Sequence, residues 1–433
     1  MISKFFYTII FLSFFQFLFC QEYILLDTLN NEGFKKDLEL FYINQTKKTE
    51  ARINQISDSK LKAELREIFA EKKSNFLDEI KNGKFVYHKE ISPLIEKIFN
   101  DIKKNNSSEN FNDIKIVLAL DEEINAYNYG EGIVVLNLPL VLNVNDELEL
   151  GFIICHEIAH QKLNHVFNSL ESFLKKGNSK EMIEKAKKLK RVKYNRSALA
   201  KAEVKDFTYN TRRFSREKEH QADSLGFVYF GKTNPNYLNK SAEALVNLKY
   251  IDKEKDSLTK SDYYKIFENA TVSFQDDWLE TDDLSSYNYQ KNSKYWNIDS
   301  LRTHPDIEVR VAYLKDIFKL TEFKISEYYK LNYLTLKSKS KYDEIFMLFY
   351  LKDYGKSLYK TMILIKTDKE NPILKKMMYD NFEMILKYKN EYKLNQCLET
   401  ESPYYSESYN MFLSFVRNLR TKTLNQIIKS YEY

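Results

Sequence analysis

Apolar residues recur at helical spacing between Leu148 and Val166. Leu148, Phe152, Cys155, Ala159, Leu163 and Val166 share one face, and His156 and His160 lie together on the face beside it. The spacing predicts one helix starting near Asp146, where Asp146 and Glu149 have the separation of a capping box. Two short apolar runs come earlier. "IKIVLAL" (114–120) and "GIVVLNL" (132–138) read as strands, and the stretch between them, with Gly130 and Gly132, reads as a tight turn. Residues 22–104 are polar and helix-prone and predict two or three helices, closed by the turn-rich "KKNNSSENFND" (103–113). The Lys- and Arg-rich stretch 171–218 reads as helix with a solvated face rather than as a membrane-binding surface. Residues 273–297 lack clean periodicity and read as an insertion or loop. Beyond about residue 320 the pattern returns to helix, rich in aromatics, in the manner of degenerate helical hairpins without a consensus repeat.

Composition narrows this picture. A chain of 433 residues has room for two or three domains and a sizeable core. Nine Gly and six Pro favour long helices over a turn-rich β fold. Lys and Arg exceed Asp and Glu by 67 to 62, a small surplus that calls for no nucleic-acid partner. The opening "MISKFFYTIIFLSFFQFLFC" sets Lys4 before an uncharged, mostly apolar run from Phe5 to Phe19, with polar chain from Gln21. Residues 1–20 therefore read as a secretory signal peptide. An uncleaved anchor is the alternative, but the run falls short of the roughly 18–20 residues that span a bilayer. Cys20 raises a lipoprotein alternative, against which stands Phe19, where lipidation wants a small residue. The expected mature protein is soluble and exported to a periplasm, with no transmembrane segment after cleavage. Cys155 and Cys397 then remain; they make no disulfide framework, and Cys155 reads as a small buried hydrophobe.

The candidate chemistry lies in "ICHEIAHQKLNH" (154–165). Histidines four apart on one helix can hold a zinc ion through neutral imidazoles, and Glu157 can take a proton from water that the metal activates. The competing reading is a helix with two satisfied histidines, but six histidines in the whole chain make a chance His-Glu-x-x-His rare. A third ligand is needed. Leu163 and Val166 stand where a three-histidine pattern would place Gly and His, and His165 falls one residue short. "SREKEHQADSLG" (215–226) offers Glu219, with Asp223 one turn on to hydrogen-bond a ligand imidazole, and small Ala222 and Gly226 to let two helices pack closely. Alone, that segment also reads as an ordinary amphipathic surface helix.

Together, His156-Glu157-Ile158-Ala159-His160 and Ser215-Arg216-x-x-Glu219-x-x-Ala222-Asp223 resemble the M48 family of zinc metallopeptidases. "INAYNYGEGIVVLN" (124–137), "DELELGFIICHEIAHQKLNH" with its His165, and "RTHPDIEVRVAYL" (302–314) with His304 and Arg310 are similar to further family segments, so the resemblance covers about residues 110–320. It implies a mainly helical α+β fold: a gluzincin-type core with a small β-sheet (111–320) between an N-terminal helical region (21–110) and a C-terminal one (321–433). It implies one zinc ion on His156, His160 and Glu219, Glu157 as general base, Asp223 as support, and structural roles for His165 and Arg310. His304 would either stabilise the oxyanion or occupy zinc's open position in a latent form. The strand around Ile133–Leu136 would be the sheet edge that aligns an extended substrate. The chain lacks the membrane helices of some relatives and looks like the soluble, exported branch. The function implied is an endopeptidase of unfolded or misfolded exported proteins. The alternative is an envelope assembly or binding factor with a latent zinc site, its C-terminal helices contacting a protein partner.

Overall fold

Strand β4 (Ile133–Asn137) is buried at every position, and its neighbours explain why. In the computed structural model, which describes residues 31–191, 216–248, 257–268, 274–280, 307–320, 327–402 and 404–432, β4 sits inside a four-stranded sheet. On one side it runs parallel to β2 (Lys115–Ala119), in register from Lys115↔Ile133 to Ala119↔Asn137. On the other it pairs antiparallel with β3 (Ala126–Gly130). The short β1 (Phe85–Val86) pairs with Ala119 and Leu118, so the order is β1-β2-β4-β3. Side chains alternate between the two faces. Val117, Ala119, Ile133 and Val135 pack on Leu38 and Tyr42 of α1 (Glu32–Asn54) and on Phe76 and Ile80 of α2 (Ser59–Lys81). Leu118, Val134 and Leu136 pack the opposite way, with α3 (Ile91–Asn105) and α5 (Glu147–Lys162); the short α4 (Leu138–Asn143) links sheet to α5. Burial on both faces demands an uninterrupted apolar run rather than an alternating one. The N-terminal helices are thus the outer layer of a helix–sheet–helix sandwich.

This arrangement corrects the expected sheet edge. Ile133–Leu136 form an interior strand; the edge is β3, which the sequence disguises as part of a turn. Gly130, Glu131 and Gly132 have φ of 90°, 48° and 76°, and these three left-handed residues fold 126–130 back along the outside of β4. At Gly132 the requirement is also steric, since a Cβ there would lie 2.2 Å from the Asp113 carbonyl oxygen. Glu131 tolerates its conformation because Lys72 of α2 pairs with its carboxylate. The same ammonium lies 3.7 Å from the centre of the Tyr129 ring, so the N-terminal helices grip the edge hairpin at its tip.

Helix α5 starts as expected at Asp146, whose Oδ1 accepts from the N–H groups of Leu148 and Glu149, both at 3.0 Å. The reciprocal arm of the box differs. Glu149 Oε2 accepts from the Asn145 N–H at 3.0 Å, and its other oxygen accepts from Asn247 Nδ2 at 2.6 Å. Lys240, at the start of α9 (Lys240–Leu248), completes this buried cluster at 2.7 Å from Asp146 Oδ2. The far end also differs from expectation. The helix stops at Lys162, Asn164 takes a left-handed φ of 53°, and α6 (His165–Gly177) sets off in a new direction, followed by α7 (Lys180–Arg191). Helix α8 includes 216–233 among the described residues and faces α5.

The core around α5 also takes in α9, α11 (Ile307–Phe318) and α12 (Glu327–Lys339). It runs from Val86 to Leu348, on both sides of the limits at 111 and 320 that the resemblance implied. A second core joins α10 (Lys260–Ile266), α13 (Asp343–Tyr350), α14 (Tyr354–Ile365), α15 (Pro372–Asn390), α16 (Glu407–Asn418) and α17 (Thr421–Ser430). Part of the stretch expected as a loop belongs to it: Trp278, in a 3-10 turn (Asp276–Leu279), is buried, and its carbonyl accepts from Asn418 Nδ2 at 3.3 Å. Residues 281–297 of that stretch lie outside the described residues. The two cores meet at His88 and Asp343. His88 Nδ1 accepts from the N–H groups of Glu90 and Ile91, so its proton is on Nε2, 2.9 Å from Asp343 Oδ2. The fold is mainly helical α+β with one small sheet, as expected. Among the described residues no helix is long and apolar enough to cross a membrane, and Cys155 and Cys397 are buried free thiols. The sequence read as a signal peptide, 1–20, lies outside the described residues.

Candidate metal centre

Two helices build the site. His156 and His160 project from one turn of α5, and Glu219 projects from α8. The helices meet at Gly226, where an added Cβ would lie 2.9 Å from His156 Cα and 3.0 Å from His156 N. Ala222, one turn earlier, is fully buried in the same contact layer. The small residues at 222 and 226 therefore do bring the backbones close. Gly226→Ala is expected to push α8 off α5, costing about 1–3 kcal/mol as overpacking does. Chemical denaturation would read that cost, and a metal titration would read the weaker affinity that follows from moving Glu219 away from the histidines.

The three side chains converge. His156 Nε2 lies 3.1 Å from His160 Nε2 and 3.5 Å from Glu219 Oε2, and His160 Nε2 lies 3.4 Å from Glu219 Oε1. Ligands bound at zinc's usual N and O distances in a tetrahedron stand about 3.3–3.4 Å apart. The two imidazole nitrogens and the Glu219 carboxylate, which reaches each histidine through a different oxygen, stand at the separations of three corners of such a tetrahedron, with the fourth left for water or substrate. Glu157, 7% exposed, places Oε1 4.0 Å from His156 Nε2.

Charge points the same way. Burial alone would lower the His156 pKa, yet the close carboxylates of Asp223 and Glu219 raise it to about 10. His160 is pushed well below the ordinary value, by burial and then by the charge on His156. A pocket that protonates a buried imidazole is one that favours a cation. Once His156 is neutral, as a ligand must be, Glu157, Glu219 and Asp223 outweigh the Arg310 guanidinium by two negative charges, which a divalent ion neutralises.

The surrounding groups hold the imidazoles. Asp223 Oδ1 lies 3.0 Å from His156 Nδ1. Arg310 of α11 holds Asp223 with both arms of its fork, Nε to Oδ2 at 2.7 Å and Nη2 to Oδ1 at 2.6 Å, and Nη1 lies 3.5 Å from Glu219 Oε2. Burial pushes the Asp223 carboxyl up, but the Arg310 charge and hydrogen bonds, helped by His156, hold it at about 2. Arg310 thus braces this site directly, a more specific role than support of the local fold. His165, turned back by the break at Asn164, places Nδ1 2.9 Å from His160 Nδ1 and Nε2 3.1 Å from Gln221 Oε1. Gln221 was invisible in the sequence, since it belongs to no spacing pattern and is exposed. His304 lies outside the described residues.

A family model described as "Peptidase family M48" matches residues 90–318. No curated protein matches the chain.

Proposed function

Since the chain belongs to peptidase family M48 and is a metallopeptidase acting on polypeptides, we propose that His156, His160 and Glu219 hold one zinc ion and that Glu157 is the general base of an endopeptidase. The observation that carries this reading is the convergence of His156 Nε2, His160 Nε2 and the Glu219 carboxylate oxygens, at separations of 3.1, 3.4 and 3.5 Å. Bound there, zinc supplies a Lewis acid that polarises the scissile carbonyl and lowers the pKa of water toward ~7.

The protein's own residues do the rest. Glu157, fixed by α5 beside His156, takes the proton from the attacking water and delivers it to the leaving amine nitrogen. Asp223 orients His156 and keeps its Nε2 turned into the site. Strand β3 has β4 on one side and no strand on the other among the described residues, so a peptide main chain can add there as a further strand. Strand addition requires an extended substrate, which favours unfolded or misfolded chains. The exported location, in a periplasm, and the substrate class of misfolded exported proteins are proposed from the N-terminal sequence. His304 is proposed as the group at the cleft rim that stabilises the oxyanion or fills the open position at rest.

The test is metal content set against cleavage of labelled casein. Wild-type protein is expected to contain one zinc per chain, to lose casein cleavage on treatment with a chelator, and to regain it with added zinc. Glu219→Ala is expected to purify with little or no zinc. Unchanged zinc in that variant would overturn the ligand assignment, and full zinc without cleavage would favour the binding or assembly role instead.

A further inference from the structure

A metal bound at His160 Nε2 uses the lone pair on that atom, so the ring proton has to be on Nδ1. With the side chain largely buried, that proton needs an acceptor. His165 Nδ1, 2.9 Å away, can accept only if its own proton is on Nε2. Nε2 in turn faces the Gln221 amide oxygen, an acceptor, at 3.1 Å. The links therefore run in one direction: His165 Nε2–H donates to Gln221 Oε1, His160 Nδ1–H donates to His165 Nδ1, and His160 Nε2 is left bare. Rotating the Gln221 amide reverses every link and puts a proton on His160 Nε2, where it closes that atom to metal.

The chain path serves this contact. In an unbroken helix His165 would lie about 140° round from His160 and could not meet its ring. The left-handed Asn164 stops α5, and α6 begins at His165 with its ring edge-on to His160, centroids 4.8 Å apart. Lys218 of α8 ties the first turn of α6 down, 2.5 Å from Ser169 Oγ and 3.4 Å from the His165 carbonyl oxygen.

We propose that His165 and Gln221 are positioning residues that lock His160 in its metal-binding tautomer. This rests on the zinc reading above. Loss of a hydrogen-bonding partner behind a ligand histidine weakens metal binding by about 10–100-fold.

The test compares His165→Asn with His165→Leu by zinc competition against a chromophoric chelator at one fixed pH. Asn places an acceptor oxygen where His165 Nδ1 stood, and Leu has its shape without the acceptor. His165→Leu is expected to bind zinc about 10–100-fold more weakly than wild type, with His165→Asn recovering most of the loss. Gln221→Leu, on an exposed position where folding is not at risk, is expected to weaken binding toward the lower end of that range. The zinc-free proteins are expected to melt alike, which separates tautomer control from packing. Equal affinity in wild type and His165→Leu, equal losses in the Asn and Leu variants, or an unchanged Gln221→Leu would each overturn the proposal. Wild-type protein that binds no zinc would instead overturn the ligand reading on which it rests.

Discussion

Glu157→Gln is expected to slow casein cleavage by about 10²–10⁴-fold while zinc content and the unfolding midpoint stay as in wild type. The substitution keeps the size and shape of the side chain and removes only its ability to take a proton. Glu157 is held on α5 next to a ligand histidine, with Oε1 4.0 Å from His156 Nε2, so the amide should occupy the same place. A turnover assay run beside metal analysis reads both halves of the expectation. Activity within tenfold of wild type would mean that the base is another group. Lost zinc would mean that Glu157 helps hold the metal.

Arg310→Met is expected to cost about 3–5 kcal/mol in denaturant unfolding of the zinc-free protein. Asp223 is fully buried and Glu219 nearly so, and Arg310 forms charge-assisted hydrogen bonds to the first and lies 3.5 Å from the second. Removing the guanidinium leaves those carboxylates desolvated without their counter-charge, while Met fills much of the volume. Added zinc should restore part of the loss, because a cation on Glu219 and His156 offsets some of the missing positive charge. A loss under about 1 kcal/mol would show that the buried carboxylates find another partner or shed their charge.

How much of this was legible from residue types depended on how local the constraint was. His156, Glu157, His160, Glu219 and Asp223 could be read because two helices at 3.6 residues per turn fix their spacing, and few other residues do their chemistry. Strand β3 could not. It is half-buried along most of its length and carries Tyr127, Asn128 and Tyr129 beside two glycines, so it resembles a loop, whereas the interior β4 looked like the better strand and was mistaken for the edge. Only pairing on both sides of β4 separates the two. The break at Asn164 was hidden because Leu163 and Val166 continue the apolar period of α5 beyond its end. Trp278 was hidden for the opposite reason: Phe274 is near in sequence, but Phe415 and the C-terminal helices that complete the core around it come from distant parts of the chain.

The order in which the chain is made adds a consequence of the Arg310–Asp223 and His88–Asp343 pairs. Emerging N-terminus first, the polypeptide has both histidines and Glu219 long before it has Arg310, which follows Asp223 by 87 residues. At synthesis rates of about 5–20 residues per second, that gap is roughly 4–17 s. Asp343, the partner of His88, comes 255 residues after it, later still. A growing chain therefore holds the parts of a protease before it can hold them steady, and the enzyme comes into working order only as the last third of its own length arrives.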